Sequence, residues 1–268
     1  MPDADSADLD LLAATAREAG TTAMRFFRRD PRQWIKDDDS PVTEADITID
    51  RFLRDELTTA RPDYGWLSEE SLDNASRMEA ARVFIVDPID GTRAFMAGEE
   101  GWVISIAIVE SGIPLCGVLF DPVRDELWSA RRGGGAFVDD RPLHVGDRAE
   151  IAGAHIAATQ RAVRVAGLAS MQDSFRRTFT KSLARRIALV ARGDFDAALA
   201  ASSPSDWDIA AAVLLVEEAG GVVSELTGAP LRFNRSGTRQ PALIAAGQPL
   251  HAAITAAARR VGEATEAT

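Results

Sequence analysis

The spacing of apolar residues divides the chain into periodic stretches separated by polar turns. Across residues 7–29, Leu9, Leu12, Ala16, Ala19, Ala23 and Phe27 recur every three or four positions, which predicts an amphipathic helix with Asp8 as its N-cap. Arg25, Arg28, Arg29 and Arg32 close it and complement the helix dipole. A polar loop, residues 36–46, runs into a second helix. Thr43 and Asp46 have the spacing of a capping box there, and Ile49, Phe52, Leu53 and Leu57 form the buried stripe. Residues 66–70 predict a short strand ending in Glu69 and Glu70, and the run Val83-Phe84-Ile85-Val86 predicts a buried strand. Residues 102–109 and 113–120 flank Ser111-Gly112 as a hairpin. Further strands are expected at 126–130, after Gly133-Gly134-Gly135, and at 143–145. This half reads as two helices against an antiparallel meander.

Beyond residue 146 the pattern changes. Strands are expected at 154–159 and 187–191, with a basic, polar stretch between them. Residues 206–219 predict a strong helix with Asp208 at its start and Gly220-Gly221 as its stop. Strands at 222–225 and 242–246 and a helix over 249–261 complete the chain. The fold class is therefore α/β in two halves: an α+β domain over residues 1–146 that carries most of the chemistry, and an α/β domain over 147–268 that supplies Asp208 and substrate contacts.

Composition narrows the function classes. The net charge of -11 excludes a basic face for nucleic acid, but not a phosphorylated substrate, because bound metal inverts local charge. No apolar run reaches membrane-spanning length, and the acidic N-terminus lacks a signal peptide's basic region. Cys116 is the only cysteine, so no intrachain disulfide forms and a cytoplasmic setting fits; it reads as a buried small hydrophobe.

The chemistry concentrates where the strand at 83–86 ends, in Asp87-Pro88-Ile89-Asp90-Gly91-Thr92. Pro88 cannot continue a ladder, so two carboxylates and the Ile89 carbonyl fall on one tight turn, with Gly91-Thr92 where a helix can start. Hard divalent cations bind such oxygens, and free amides at a helix start bind phosphate. Acidic turns of this kind are also common structural features, and Asp46 also reads as a plain cap acid.

These blocks occur together with Lys36, Ser40-Pro41-Val42-Thr43-Glu44-Ala45-Asp46, Ser68-Glu69-Glu70, Trp207-Asp208 and Glu218-Ala219-Gly220-Gly221. In order and spacing the set resembles the inositol monophosphatase superfamily, from residue 8 to about 246. The resemblance implies a layered αβαβα sandwich and magnesium-dependent, lithium-sensitive hydrolysis of a small phosphomonoester, with two or three ions per site. It implies that Glu69, Asp87 and the Ile89 carbonyl hold one ion, that Asp87, Asp90 and Asp208 hold a second, and that Glu70 bears on a third or its waters. Asp46 and Thr92 would orient and deprotonate the attacking water, and the amides of Gly91 and Thr92 would receive the phosphate. Two cations flanking a phosphate suit this chemistry, which needs no cysteine or histidine nucleophile. His144, His155 and His251 are left structural.

Within the superfamily, Leu67-Ser68-Glu69-Glu70 and the 36–46 block resemble bacterial 3′(2′),5′-bisphosphate nucleotidases, and Arg93 places a cation where a second phosphate would lie. Ala201 stands where inositol enzymes often carry a glutamate for the ring hydroxyls. The expected reaction is 3′-phosphoadenosine 5′-phosphate to AMP. The alternatives are an inositol-1-monophosphatase, a broad sugar-phosphate phosphatase, or an idle relative that acts through partners. The resemblance also allows a homodimer; Trp34, Trp102 and Trp128 are read as core rather than as its interface.

Overall fold

Helix α1 (Ala4–Phe26) is followed by a short antiparallel pair, β1 (Gln33–Ile35) and β2 (Pro41–Thr43), and by helix α2 (Glu44–Ala60). The computed structural model describes residues 4–36, 40–201 and 203–266; residues 37–39 of the polar loop lie outside it, as does the acidic start at residues 1–3. Leu12, Ala16, Ala19, Ala23 and Phe27 are buried against Ile49, Leu53 and Leu57, as their periodicity predicts, while Phe52 is half-buried. Asp8, however, is no N-cap. The helix starts at Ala4, and Asp8 is a buried carboxylate that accepts from Arg61 Nε, Tyr64 Oη and Arg82 Nη1, each at 2.8 Å. A carboxylate out of water needs such partners.

Seven strands form the first sheet: β3 (Gly65–Ser68), β4 (Arg82–Asp90) and, after the short helix α3 (Thr92–Met96), β5 (Val103–Glu110), β6 (Ile113–Asp121), β7 (Glu126–Arg131), β8 (Gly135–Val138) and β9 (Arg141–Pro142). The strands lie in chain order. The expected meander holds from β4 onward, whereas β3 pairs parallel to β4. Leu143 and Val145 form no strand; their amides make single bonds to Ala136 and Ala219.

The second sheet has the order β11-β10-β12-β14-β13, from β10 (His155–Ala157), β11 (Arg176–Thr178), β12 (Ala197–Ala200), β13 (Gly221–Glu225) and β14 (Leu243–Gly247). Its helices are α4 (Gln160–Val165), α5 (Leu183–Ala191), α6 (Asp206–Glu218) and α7 (Gln248–Glu266). The strand expected at 187–191 is in fact α5. Ser182 caps it by accepting from Arg185 N at 3.0 Å, and all but two of its residues are buried. Its two arginines lie in the first turn, outside the short apolar run at 187–191, so that run alone reads as a buried strand. The edge strand β11, made of Arg-Arg-Thr, carries no apolar signal at all.

Side chains alternate strictly across both sheets. Val83 and Ile85 of β4 face α5 and α6, while Phe84 and Val86 face α1 and α2. Ala198 and Ala200 of β12 face the same central helices, while Ala197 and Leu199 pack with α4 and α7. Strands covered on both faces read as continuous apolar runs. The result is five layers, α1/α2, sheet, α5/α6, sheet, α4/α7, which is the predicted αβαβα sandwich. Gly117 permits a close approach between layers: a Cβ there would lie 3.0 Å from the Ala211 backbone of α6. Trp102, Trp128 and Cys116 are buried as expected, but Trp34 is 46% exposed. Among the described residues no helix is long and apolar enough to cross a membrane.

Candidate active site

The register of β4 against β5 shifts where the chemistry begins. Asp87 pairs with Ser105 and Asp90 with Val103, so three steps on β4 match two on β5. This is a β-bulge, and Pro88 sits inside it, where a missing amide does no harm. In a regular strand Asp87 and Ile89 would share a face and Asp90 would point away. The extra residue instead sends Ile89 into the α1/α2 core and returns Asp90 to the face of Asp87. The strand thus extends past Asp87, where its end was expected, and the bulge makes the two aspartates neighbours. Gly91 follows in the left-handed region at φ +103° and starts α3, and a side chain there would press on Trp102 and Ser182.

Oxygens of Glu69, Asp87 and Asp208 lie within 4.8 Å of one another. They come from three elements: the end of β3, the bulge of β4 and the first turn of α6. Asp90 lines the same cavity but its carboxylate is held at the start of α5, accepting from Ser182 Oγ at 2.5 Å, Ala184 N at 2.6 Å and Leu183 N at 3.3 Å. Ile89, Gly91, Thr92 and Arg93 line the cavity as well, with Arg93 exposed.

Asp46 and Asp208 share one design. Asp46 Oδ2 accepts from Thr43 N at 2.8 Å and Thr43 Oγ1 at 2.6 Å, which is the predicted capping box, while Oδ1 lies 3.5 Å from Thr92 Oγ1. Asp208 Oδ2 likewise accepts from Ser205 N at 2.7 Å. In both, the cap acid and the site carboxylate are the same group. Thr92 Oγ1 also donates to the Ile89 carbonyl at 3.2 Å. Asp46 itself sits behind Thr92 and does not line the cavity. Glu70 does not line it either; its side chain is buried and turned to Lys36.

Crowding these carboxylates raises their proton affinity. Burial, then the charge of Asp90, pushes Asp208 up to about 8. Burial, then Glu69, pushes Glu70 up to about 7 against the pull of Lys36. Burial lifts Asp46 to about 6 despite the Thr43 hydrogen bonds, and Asp90 to about 6 despite Ser182 and the α5 amides. Asp87 is raised by burial and by Glu69, Asp90 and Asp208 together. Converging hard oxygens that repel one another are the donor set a divalent cation relieves, so the residues fit magnesium.

Several contributors carry no role in the sequence reading. Lys36 Nζ bridges Glu69 at 2.8 Å and Glu70 at 3.0 Å, and their charges hold it above its ordinary range although burial opposes this. Ser182 anchors Asp90. Arg186, in the first turn of α5, is only 6% exposed, and its Nε and Nη1 have no hydrogen-bond partner among the described residues. Its guanidinium lies 5.5 Å from the ring centre of Phe179. No local pattern marks Arg186, because its burial depends on layers distant in sequence.

The cavity has a volume of about 1100 Å³. One end is the acidic cluster; Trp34, Phe179, Trp207, Lys181, Arg93 and Arg239 line the rest. Trp34 and Phe179, 46% and 52% exposed, present aromatic surface there. Lys181 pairs with Glu99 at 2.7 Å. Ala201 does not line the cavity and packs on the α4/α7 core.

Comparison with known proteins agrees with this arrangement. The profile of the inositol monophosphatase family matches residues 7–263. An inositol-1-monophosphatase of Rhizobium meliloti is 34% identical over 84% of this chain and 88% of its own length. The 3′(2′),5′-bisphosphate nucleotidase CysQ of Aggregatibacter actinomycetemcomitans is 30% identical over 82% of this chain and 85% of its own. The crystal structure of the extragenic suppressor protein suhB from Bartonella henselae superposes with a TM-score of 0.84 at 28% identity, covering 94% of this chain and 98% of that one. The chain therefore belongs to the inositol monophosphatase family, whose members are phosphatases that hydrolyse phosphomonoesters and in general depend on magnesium.

Proposed function

We propose that the protein hydrolyses a 3′(2′),5′-bisphosphorylated nucleoside, with 3′-phosphoadenosine 5′-phosphate converted to AMP. Glu69, Asp87, the Ile89 carbonyl, Asp90 and Asp208 are the groups that would hold magnesium, and Glu70 would bear on a further ion or its waters. Bound there, magnesium would supply charge neutralisation for the phosphoryl group and a more acidic water. Thr92 Oγ1, fixed between Asp46 and the Ile89 carbonyl, orients the attacking water; as Thr92 accepts the water's proton it passes its own hydroxyl proton to Asp46 Oδ1. Because Oδ2 stays in the cap, the base is held rigidly while its other oxygen works. The amides of Gly91 and Thr92 are assigned to the phosphate, and Arg93 to the rim beside it.

The observation that carries the nucleotide reading is the pair of exposed aromatic faces in the cavity, Trp34 and Phe179, which offer stacking surface for a base that an inositol ring does not use. Arg93, exposed in the same cavity, suits a second phosphate. The CysQ relative supports the same reading. The Rhizobium meliloti relative supports a second, an inositol phosphate, and Ala201 does not count against it because that position lies off the cavity.

The test is phosphate release from 3′-phosphoadenosine 5′-phosphate and from inositol 1-phosphate, with magnesium or with chelator. The proposal expects magnesium-dependent release with a large preference for the nucleotide. Preference for inositol phosphate overturns the nucleotide reading, and release from neither favours the idle relative.

A further inference from the structure

Asp50 lies one helical turn after Asp46 on α2 and is buried. Its hydrogen bonds go to none of the carboxylates assembled at the site. Its Oδ1 accepts from Ser68 Oγ at 2.5 Å and its Oδ2 from Ser71 Oγ at 2.6 Å. Ser68 ends β3, and Ser71 follows Glu69 and Glu70. One carboxylate therefore grips both ends of the four-residue segment that presents the two glutamates.

Each serine is held in turn. Ser68 Oγ lies 3.5 Å from Glu70 N, and Ser71 Oγ accepts from Trp66 Nε1 at 3.3 Å. The segment has left the ladder after a single further bond, Glu69 N to the Val86 carbonyl at 3.2 Å. Past that point, among the described residues, no backbone–backbone bond fixes Glu70 or Ser71, so the Asp50 hydrogen bonds are what hold the turn. Lys36 bridges the same two glutamates through their side chains.

We propose that Asp50 is a positioning residue for the metal-binding carboxylates: it fixes the 68–71 turn so that Glu69 stays with Asp87 and Asp208. The proposal rests on the metal-site reading above. Groups that orient metal ligands from behind are worth about 10- to 100-fold in metal affinity. Asparagine at this position accepts from one serine, can only donate to the other and lacks the charge, so it grips the turn more weakly; alanine holds neither serine. Loss of the clamp thus acts on metal affinity, and excess metal restores turnover.

The experiment is calorimetric titration of the full-length protein with Mn²⁺, alongside thermal unfolding without metal. Comparison variants are D50N, D50A, S71A, D87N and, as a control for lost buried charge, D8N, whose carboxylate serves a distant cluster with Arg61, Tyr64 and Arg82. The expected dissociation constants rise about tenfold for D50N and about 100-fold for D50A. S71A rises several-fold, and D8N keeps wild-type affinity while unfolding at lower temperature. If D50A does not fold, S71A, which leaves the carboxylate in place, carries the test. Wild-type affinity in S71A and D50N, with D87N weakened, overturns the clamp alone. Wild-type affinity in D87N overturns the metal-site reading instead.

Discussion

The two ends of the cavity are built on opposite plans. The acidic end is made of side chains that belong to regular structure: the capping acid of α6, a bulge on β4 and the end of β3, with the capping acid of α2 behind Thr92. Asp208 and Asp90 also hold the starts of α6 and α5, so their positions are set by the fold itself. The outer end is made of exposed rings and long cations, with Trp34 on a two-stranded edge and Phe179 and Lys181 ahead of α5. It is shaped by residues that can rearrange. Reaction chemistry needs placement to a fraction of an ångström, whereas choosing a substrate needs only complementary groups within reach.

The sharpest way to separate the ends is to remove a charge from the first. Asp87→Asn is expected to lower turnover of every substrate by at least about 10³-fold. The metal-free protein should melt at a higher temperature, since one member of a repelling set is gone; an unchanged rate breaks the assignment. Arg93→Met addresses the second end. The KM for 3′-phosphoadenosine 5′-phosphate should rise about 10- to 100-fold, the loss of a charge-assisted pair, while hydrolysis of inositol 1-phosphate stays near wild type. Equal losses on both substrates would show that Arg93 is not selective.

Acidity gives a smaller effect. The site acids hold protons in the folded state up to about 6 for Asp46 and Asp90, about 7 for Glu70 and about 8 for Asp208, above the ordinary carboxylate range. Between that range and those values the folded protein binds more protons than the unfolded chain, so stability falls as pH rises. Without metal, the melting temperature should drop by about 5 °C from pH 5.5 to 8. Saturating magnesium should flatten or reverse the trend, because it replaces the protons. Smallest is Ser182→Ala, which removes the α5 cap at a cost of about 1 kcal/mol. It also frees Asp90, so magnesium half-activation should shift upward, read from a magnesium titration of phosphate release.

How much of this was legible in the sequence follows from the same contrast. The helices at 4–26 and 44–60 have long, one-sided patterns, the helix at 206–218 carries an apolar run too long for most strands, and the capping acids of α2 and α6 stand three residues from their caps. Local spacing placed Asp46, Asp87, Asp90 and Asp208 at a cap, a strand end and a helix start, and only the resemblance of the whole set joined them into one candidate site. Spacing was not enough for α5, whose apolar run at 187–191 is too short to show a helical period on its own. It was also insufficient for Asp8, Asp50 and Arg186. Their surroundings are set by residues many positions away, such as the 53 residues between Asp8 and Arg61. Asp50 looked like one more polar position on α2 because its serines lie beyond a turn.

The bulge on β4 gives the site a dependence on parity. Whether Asp87 and Asp90 share a side depends on an unequal count between two paired positions, two residues on β4 against one on β5, and no substitution alters that count. An insertion of one residue opposite the bulge, between Val103 and Ser105, keeps both acids and lets the sheet zip up more regularly, yet it turns one carboxylate into the α1/α2 core. Swaps of residue type are tolerated in proportion to their chemistry, but a change of length here acts like a frameshift written in three dimensions.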